Sequence, residues 1–200
     1  MRKRLTRQAI IEAATAYADQ HGLDALTLSA LARHLDVAAP SLYVHLPGGL
    51  RELRASLCVR GHRDIAERCR RAATGRSGAE ALHALAHAQR RYAHEHPGLY
   101  AATSLVVDGY RDDEVRRAAD EAAAVVADVL AAGPDGGEAL VHAVRGLRSA
   151  VQGFCALEAS GVFALDVSAD ESFAWLVEAV VARVVRAWQA APESTGGPRS

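Results

Sequence analysis

The segment 27–46, TLSALARHLDVAAPSLYVHL, constrains the fold of this chain more than any other segment, because it contains two short helical patterns separated by a tight corner. In the first pattern, leucine and alanine recur at helical spacing behind Thr27, which is placed as an N-cap. In the second, Pro40 fits only the first turn of a helix, so a helix begins beside it. The segment therefore predicts a helix-turn-helix whose second helix turns Leu42 and Leu46 inward. Its outward polar side chains are Ser41, Tyr43 and His45.

Together with the residues before it, this segment resembles the N-terminal domain of the TetR family of bacterial one-component transcriptional regulators. The resemblance runs from LTRQAIIEAA (5–14) through HGLDALTLSALARHLDV (21–37) to APSLYVHL (39–46), which is similar to the family's recognition helix. It implies an all-α homodimer, a repressor that leaves a palindromic double-stranded DNA operator when a small-molecule ligand binds. The second helix would then enter a DNA major groove of ~12 Å.

Three positions depart from the family's usual pattern. The family usually has Gly where Asp36 stands, Ser where Ala38 stands, and a Lys after the recognition helix where this chain has Pro47, Gly48 and Gly49. Loss of the Ser weakens the cap of the recognition helix, and loss of the Lys removes a phosphate contact. We therefore expect DNA affinity to rest on the basic N-terminus and on backbone amides near Gly49, where the next helix begins.

Candidate DNA contacts come from the N-terminus and from both helices of the motif. The segment 1–7 is rich in Arg and Lys, and as an unstructured arm it would track phosphates or enter a minor groove; the alternative is a solubilising terminus. By the resemblance, Tyr43 touches a phosphate, residues 39–41 lie nearest the bases, and positions 29 and 33 flank the backbone; the alternative is a solvated helix face. The expected contacts are Arg2, Lys3, Arg4, Thr27, Ser29, Arg33, Ala39, Pro40, Ser41, Tyr43 and His45.

Composition agrees with an all-α fold. Hydrophobic residues make up 50% of the chain and aromatic residues only 5%, with abundant Ala, which favours closely packed helices over a sheet. The formal net charge is −1, so any nucleic-acid contact depends on a local basic patch. No apolar run reaches the ~18 residues of a membrane span, and no signal-peptide core follows the basic terminus. We therefore expect a cytoplasmic protein with no membrane partner.

The helical patterns predict two domains and about nine helices. Residues 5–56 are expected to form the helix-turn-helix domain, residues 57–190 a C-terminal ligand-binding and dimerisation domain, and residues 191–200 a disordered tail. A long helix over 50–73 would join the two domains.

Several local signals place the other helices. The first helix is expected over 7–21, between Thr6 as N-cap and Gly22. Pro97 is expected to end the helix before it, and a short helix is expected to include 99–107. Gly and Pro within 133–137 mark a stop before the last two helices.

The last two helices carry the most regular apolar stripes of the chain. One helical hairpin has too little partner surface to cover both stripes, so either the middle helices or a second subunit must do so. In the resembled family the two C-terminal helices pair with their symmetry mates in a four-helix bundle, and the pattern permits the same here. The residues expected at this dimer interface are Leu140, Val144, Leu147, Val151, Phe173, Val177, Val180, Val181 and Val184.

The C-terminal half resembles the TetR subgroup that has a WHG-type C-terminal domain. The resemblance rests on HPGLY (96–100) and QGFCALEASGVF (152–163), although the subgroup commonly has His where Gln152 stands. Polar groups among apolar ones in this half suggest a small-molecule pocket, and the alternative is ordinary half-buried helix surface. The expected pocket residues are His62, His87, Arg91, Tyr100, Ser104, Phe154, Glu158 and Trp175.

Other chemistries find less support in the sequence. His83 and His87 have the i, i+4 spacing of a metal-binding pair, but no acidic or Cys residue completes a set at a diagnostic spacing, so we expect no metal and no cofactor. No Ser lies in a nucleophile elbow, so we expect no enzyme. The cysteines lack metal-type spacing and are expected to be buried thiols. The alternative function is a helical ligand- or metal-binding sensor with weak or no DNA binding.

Overall fold

The computed structural model describes residues 5–105, 112–131 and 138–190. All regular secondary structure in these ranges is helical, in nine helices without a strand, which confirms the all-α prediction. The expectations about Arg2, Lys3 and Arg4, the stop at 133–137 and the tail at 191–200 lie outside the described residues. The helices are α1 (Arg7–His21), α2 (Leu28–His34), α3 (Ala39–Tyr43), α4 (Gly49–Ala73), α5 (Gly78–Glu95), α6 (Pro97–Ala102), α7 (Asp113–Ala131), α8 (Glu138–Ala159) and α9 (Ala169–Ala190).

The chain forms two compact units. The first unit takes its residues from Met1–Arg68 and Arg90–Ala122, and the second from Cys69–Gln89 and Ala123–Ser200. Helices α4, α5 and α7 each contribute residues to both units. The first unit therefore includes α6, which lies beyond the functional domain boundary at 56–57 expected from the sequence; that boundary remains a proposal.

Local capping signals set the bounds of α1. The Thr6 hydroxyl accepts a hydrogen bond from the Ala9 amide at 3.1 Å, and Gly22 ends the helix with φ +84° while its own amide donates to the Ala18 carbonyl. Both bounds agree with the prediction because each depends on residues adjacent in sequence.

A hydrophobic core holds the first three helices against α4. Ile10 of α1, Leu31 of α2, Leu42 of α3 and Leu53 of α4 are fully buried in it, together with Leu46, which follows α3. The predicted inward direction of Leu42 and Leu46 is confirmed. Burial of these two side chains leaves the other side of α3 at the surface.

Pro97 ends the helix before it, as expected, and itself begins the next helix, two residues earlier than the sequence suggested. Helix α5 ends at Glu95 and α6 begins at Pro97, where the missing amide of proline costs no helical hydrogen bond. The Asp19 carboxylate accepts hydrogen bonds from the amides of Gly98 (2.9 Å) and Leu99 (3.1 Å), so a side chain of α1 caps α6. The described part of this helix ends at Ala102, earlier than expected; positions 106 and 107 lie outside the described residues.

The second unit explains what covers the apolar stripes of α8 and α9. Leu147, Val151, Phe173, Val177, Val181 and Val184 are all buried, with at most 8% of their surface exposed. The ring of Phe173 packs against that of Phe154, with 5.1 Å between centroids. All six residues were expected at the dimer interface. Because the chain itself buries Leu147, Val151, Phe173, Val177 and Val181, we no longer place these five there. Val184 also lines a surface groove of α8 and α9 and stays a candidate for the interface. Leu140, Val144 and Val180 remain partly exposed.

Gly98 lets α6 approach the end of α1 more closely than any other residue would permit. A Cβ atom at this position would lie 2.2 Å from the carbonyl carbon of Ala18 and 2.6 Å from the amide nitrogen of Asp19. The same approach brings the Asp19 carboxylate to the amides that it caps.

We predict that Gly98→Ala lowers the free energy of unfolding by about 2 kcal/mol, because backbone must move to admit the methyl group. Gly153→Ala in α8 is the matched control, since a Cβ there meets nothing within 4 Å. It should raise the free energy of unfolding by about 0.5–1 kcal/mol through helix propensity. Urea unfolding at one protein concentration measures both. A Gly98→Ala protein as stable as the parent would contradict the proposed close approach.

Candidate nucleic-acid interface

Helix α2 and the corner after it have the geometry expected from the sequence. The Thr27 hydroxyl accepts a hydrogen bond from the Ala30 amide at 3.1 Å, and α2 ends at His34, with Leu35 as its C-cap residue. Asp36 then adopts φ +53°, and the Val37 amide donates to the Ala32 carbonyl at 3.0 Å. The turn therefore needs the left-handed conformation for which glycine is best suited, and here Asp adopts it.

Helix α3 begins without a side-chain cap. Its N-cap residue, Ala38, makes no side-chain hydrogen bond, which confirms the weakened cap predicted from the missing Ser. The Ser41 amide donates to the Ala38 carbonyl at 2.9 Å, and Pro40 supplies a fixed φ in the first turn. This helix has five residues, too few to be stable without its neighbours.

The predicted contacts of α2 and α3 lie at the surface of the first unit. Tyr43 is 52% exposed, while Ala39, Ser41 and His45 are partly buried. The exposed members of the set are Thr27, Ser29, Arg33, Pro40 and Tyr43. The structure thus places α2 and α3 so that these side chains can reach a ligand.

Val44 belongs to this surface although the sequence analysis did not select it. It is 77% exposed, although it stands between the buried residues Leu42 and Leu46 in the sequence. The available signal was its spacing, because Val44 stands three residues after Ser41 on the same helical face. An exposed aliphatic group here could contact a thymine methyl.

Two backbone amides of the corner after α3 donate hydrogen bonds to acceptors within the chain. The Gly49 amide donates to the Leu46 carbonyl at 2.9 Å, and the Gly48 amide donates to Oε2 of Glu52 at 2.9 Å. These two amides are therefore already bonded within the chain. For the other amides in the first turn of α4, a role in phosphate binding stays a prediction.

Arg7 also differs from a residue of a free arm. It is the first residue of α1, and its guanidinium donates to Oε1 of Glu52 at 3.3 Å and to the Ser56 hydroxyl at 2.9 Å. The expected arm contacts thus reduce to residues that precede the described chain.

The expected pocket residues do not belong to one compact unit. His62, Arg91, Tyr100 and Ser104 lie in the first unit, and the others lie in the second. Trp175 is 75% exposed, so the expectation that it lines a pocket was wrong: its position on α9 faces away from the buried stripe. His87, Arg91 and Ser104 are also exposed, whereas the first unit buries His62 and Tyr100, and the second unit buries Phe154 and half-buries Glu158.

A polar cluster around Tyr92 in the first unit was not anticipated. Tyr92 is fully buried, and its hydroxyl donates to the Asp64 carboxylate at 3.3 Å. Burial, together with the negative charge and hydrogen bond of Asp64, holds the pKa of Tyr92 far above its usual range. The Arg68 guanidinium lies 4.9 Å from the ring centroid and also pairs with Glu95. The cluster joins α4 to α5 within this unit.

His83 lies beside a carboxylate, and the three cysteines are buried. His83 Nε2 lies 3.2 Å from a carboxylate oxygen of Glu178 in the second unit, and no group of three or more His, Cys, Asp or Glu side chains suited to a metal ion occurs among the described residues. Cys58, Cys69 and Cys155 are buried as predicted, and burial raises the pKa of Cys69 to about 11. No helix in the described ranges is long and apolar enough to span a membrane.

The second unit carries an apolar groove on the outer side of α8 and α9. It has a volume of about 590 Å³ and is formed mainly by small side chains. Its floor and walls include Ala143, Gly146, Ala179, Val180 and Ala187.

Comparison with known proteins gives the family of the chain. The model of bacterial regulatory proteins of the tetR family matches residues 10–48, and that of the tetracyclin repressor-like C-terminal domain matches residues 82–180. The chain is 37% identical over 183 residues to the HTH-type transcriptional regulator Rv0681 of Mycobacterium tuberculosis, a match that covers 92% of this chain and 83% of Rv0681.

Solved structures share the fold. The crystal structure of the regulatory protein SCO4313 matches with a TM-score of 0.70 and 27% identity, over 88% of this chain and 95% of that protein. The Streptomyces coelicolor TetR family protein ActR, crystallised in complex with (S)-DNPA, matches with a TM-score of 0.67 over 92% of this chain and 99% of ActR, at 19% identity.

The all-α architecture, the helix-turn-helix surface and these relatives define a DNA-binding transcriptional regulator. More narrowly, the chain belongs to the TetR family of bacterial transcriptional regulators.

We predict that Tyr43→Phe weakens binding to operator and to unrelated DNA by the same factor, about threefold to tenfold, because a phosphate contact carries no base information. Tyr17→Phe is the matched control, since this tyrosine is partly buried against the rings of His21 and His34. Fluorescence anisotropy with both duplexes measures the effect. Unchanged affinity of Tyr43→Phe would remove Tyr43 from the interface.

Proposed function

We propose that the protein is a homodimeric repressor that binds a palindromic operator through α3 of each subunit and is released by a small-molecule effector. The observation that carries the proposal is the orientation of α3. Leu42 lies in the core at 0% exposure, while Tyr43 and Val44 are exposed at 52% and 77%. A short helix fixed by its apolar side and open on the other is suited to a major groove.

The N-terminal arm and the helix-turn-helix are proposed to act together on DNA. Arg33 is exposed on α2 and would flank the backbone, while Ser41 and Val44 on α3 would meet base edges. The arm residues Arg2, Lys3 and Arg4 would add phosphate contacts. Because operator DNA is chromosomal, the proposal places the protein in the cytoplasm.

The test of this function is binding of the protein to DNA from the region upstream of its own gene. Fluorescence anisotropy measures this binding over a series of salt concentrations. A selective complex of one dimer, weakened steeply by salt, is the expected result. If that fragment fails, selection from fragmented genomic DNA replaces it. Failure to obtain any selective complex from either source would contradict the proposal and favour the alternative, a helical sensor that does not use DNA.

The effector is proposed to be an organic small molecule bound by the C-terminal domain. The family relationship supports this, as does the ligand complex of ActR, a protein of the same fold. Of the residues expected in the pocket, Phe154 and Glu158 of α8 lie in the second unit with buried or half-buried side chains. A compound that binds better to a conformation with a different spacing of the two recognition helices would release the operator.

The dimer interface is proposed to use the outer face of α8 and α9 rather than the stripe that the chain itself covers. The groove on this face is lined by small residues, which allow helices of a second copy to approach closely. Val180 lies in the groove, and Val141, 45% exposed, adds apolar surface on α8.

We predict that Val180→Glu converts a dimer into a monomer, because it places charges in an apolar contact between copies. A monomer holds one half-site, so operator affinity should fall by more than about tenfold. Val167→Glu is the control, since Val167 is 64% exposed and outside the groove. Sedimentation velocity reports the mass, and circular dichroism checks that the variant is folded. A folded, dimeric Val180→Glu protein would refute this interface.

A further inference from the structure

Three segments of the first unit meet at the carboxylate of Glu52. Oε2 accepts a hydrogen bond from the Gly48 amide at 2.9 Å, and Oε1 lies 3.3 Å from Nε of Arg7. The Glu52 side chain is only 27% exposed. One carboxylate thus joins the loop after α3, the first turn of α4 and the first turn of α1.

Ser56 strengthens this connection from the next turn of α4. Its hydroxyl donates to the Glu52 carbonyl at 2.9 Å and accepts from Nη2 of Arg7 at 2.9 Å. Arg7 therefore contacts α4 at two points, and the two charges of the ion pair lie in a fixed geometry. Charge-assisted bonds of this kind are stronger than neutral ones.

The two glycines of the corner connect Glu52 to α3 through the backbone. A Cβ at Gly48 would lie 2.9 Å from Cβ of Glu52, so only glycine allows the carboxylate to fold back onto the Gly48 amide. Gly49 has φ +63°, and a Cβ there would lie 3.3 Å from Cε1 of Tyr43. The corner fixed by Glu52 is therefore packed against the tyrosine at the end of α3.

Helix α3 needs such support from outside. It has five residues and no side-chain cap, so its own hydrogen bonds do little to fix its direction. Ala39, Leu42 and Leu46 pack on the core and hold the inner side of this segment, but these apolar contacts are not directional. The hydrogen-bonded corner after α3 supplies a second point of attachment, at the C-terminal end of the helix.

Electrostatics alone predicts the opposite role for Glu52. A carboxylate beside a DNA-binding surface repels phosphates, and its removal would also free the positive charge of Arg7. If Glu52 did nothing but carry charge, DNA affinity should rise when it is neutralised. The sign of the change thus separates the two roles.

We propose that Glu52 is a positioning residue for operator recognition, which fixes the corner after α3 and so orients Tyr43 and the recognition helix. It occupies the region where the family's usual Lys is missing. The proposal rests on the proposed function, because it concerns the same DNA interface.

The test compares wild type, Glu52→Ala, Glu52→Gln and a control on two duplexes, the operator and a scrambled sequence of the same length. Glu12→Gln is the control, because the Glu12 carboxylate accepts a hydrogen bond from Gln8 of its own helix. We expect Glu52→Ala to weaken operator binding about fivefold to tenfold and to strengthen scrambled-duplex binding about twofold. Glu52→Gln should fall between, since its amide oxygen still accepts from Gly48. Glu12→Gln should change the affinity for both duplexes slightly and by the same factor.

The outcomes separate the possible failures. A rise in affinity for both duplexes with Glu52→Ala would overturn the positioning role in favour of simple charge. An equal loss on both duplexes, with a lowered free energy of unfolding, would overturn it in favour of a general role in folding. If wild type bound the two duplexes equally, the proposed function itself would fail, and the positioning role with it.

Discussion

The recognition surface depends on the burial of two leucines. Helix α3 has five residues and no side-chain cap, and isolated helices shorter than about 12 residues are marginal in water. Leu42 and Leu46 are both fully buried, and each such burial is worth about 1.5–3 kcal/mol. The helix therefore exists because its inner side completes the core, and Tyr43 and Val44 are exposed as a consequence. The core determines which side chains DNA can meet.

Two carboxylates then fix the elements around that core. The Asp19 carboxylate accepts hydrogen bonds from the amides of Gly98 and Leu99 at the start of α6. The Glu52 carboxylate accepts a hydrogen bond from the Gly48 amide, beside the start of α4. A carboxylate at a helix N-terminus satisfies amides that have no helical partner and is favoured by the helix dipole. In both cases a glycine provides the space. Apolar burial and these carboxylate hydrogen bonds therefore act together where α4 and α6 begin.

The sequence predicted elements whose limits depend on neighbouring residues. Thr6 and Gly22 correctly predicted the bounds of α1, and the absence of Ser at position 38 correctly predicted that α3 has no side-chain cap. Both predictions succeeded because a capping residue acts on amides only a few residues away. Pro97 was correctly interpreted as the stop of the helix before it, but it was not recognised as the start of the next helix, because proline can do both. Asp19, distant in sequence, provides the cap that makes Pro97 a first helical residue here. No pattern near Pro97 contains that information.

Periodicity identified the buried side of α8 and α9 but could not say what covers it. Phe173 and Val177 were assigned to a partner subunit, and the fold instead covers them within one chain. The same limit applies to the pocket residues, because convergence of His62 and Trp175 would require a tertiary arrangement that spacing does not encode. The DNA-facing residues were easier to select, since a single turn and one short helix hold them together. A surface built from local elements can be predicted from sequence, whereas one built by the whole fold cannot.

The three departures from the family pattern have different structural consequences. Asp36 keeps the left-handed turn, and α3 keeps its helix without a cap because the core holds it. Only the missing Lys changes the chemistry of the DNA-facing side, since the corner now holds Glu52 paired with Arg7, with no net charge between them. Under the proposed function, attraction to phosphates would therefore depend on other cations, such as Arg33 and Arg51, which are exposed, and on the basic residues of the N-terminal segment. In this proposal, cationic side chains outside the corner supply affinity for phosphates, and selectivity depends on how firmly α3 is held.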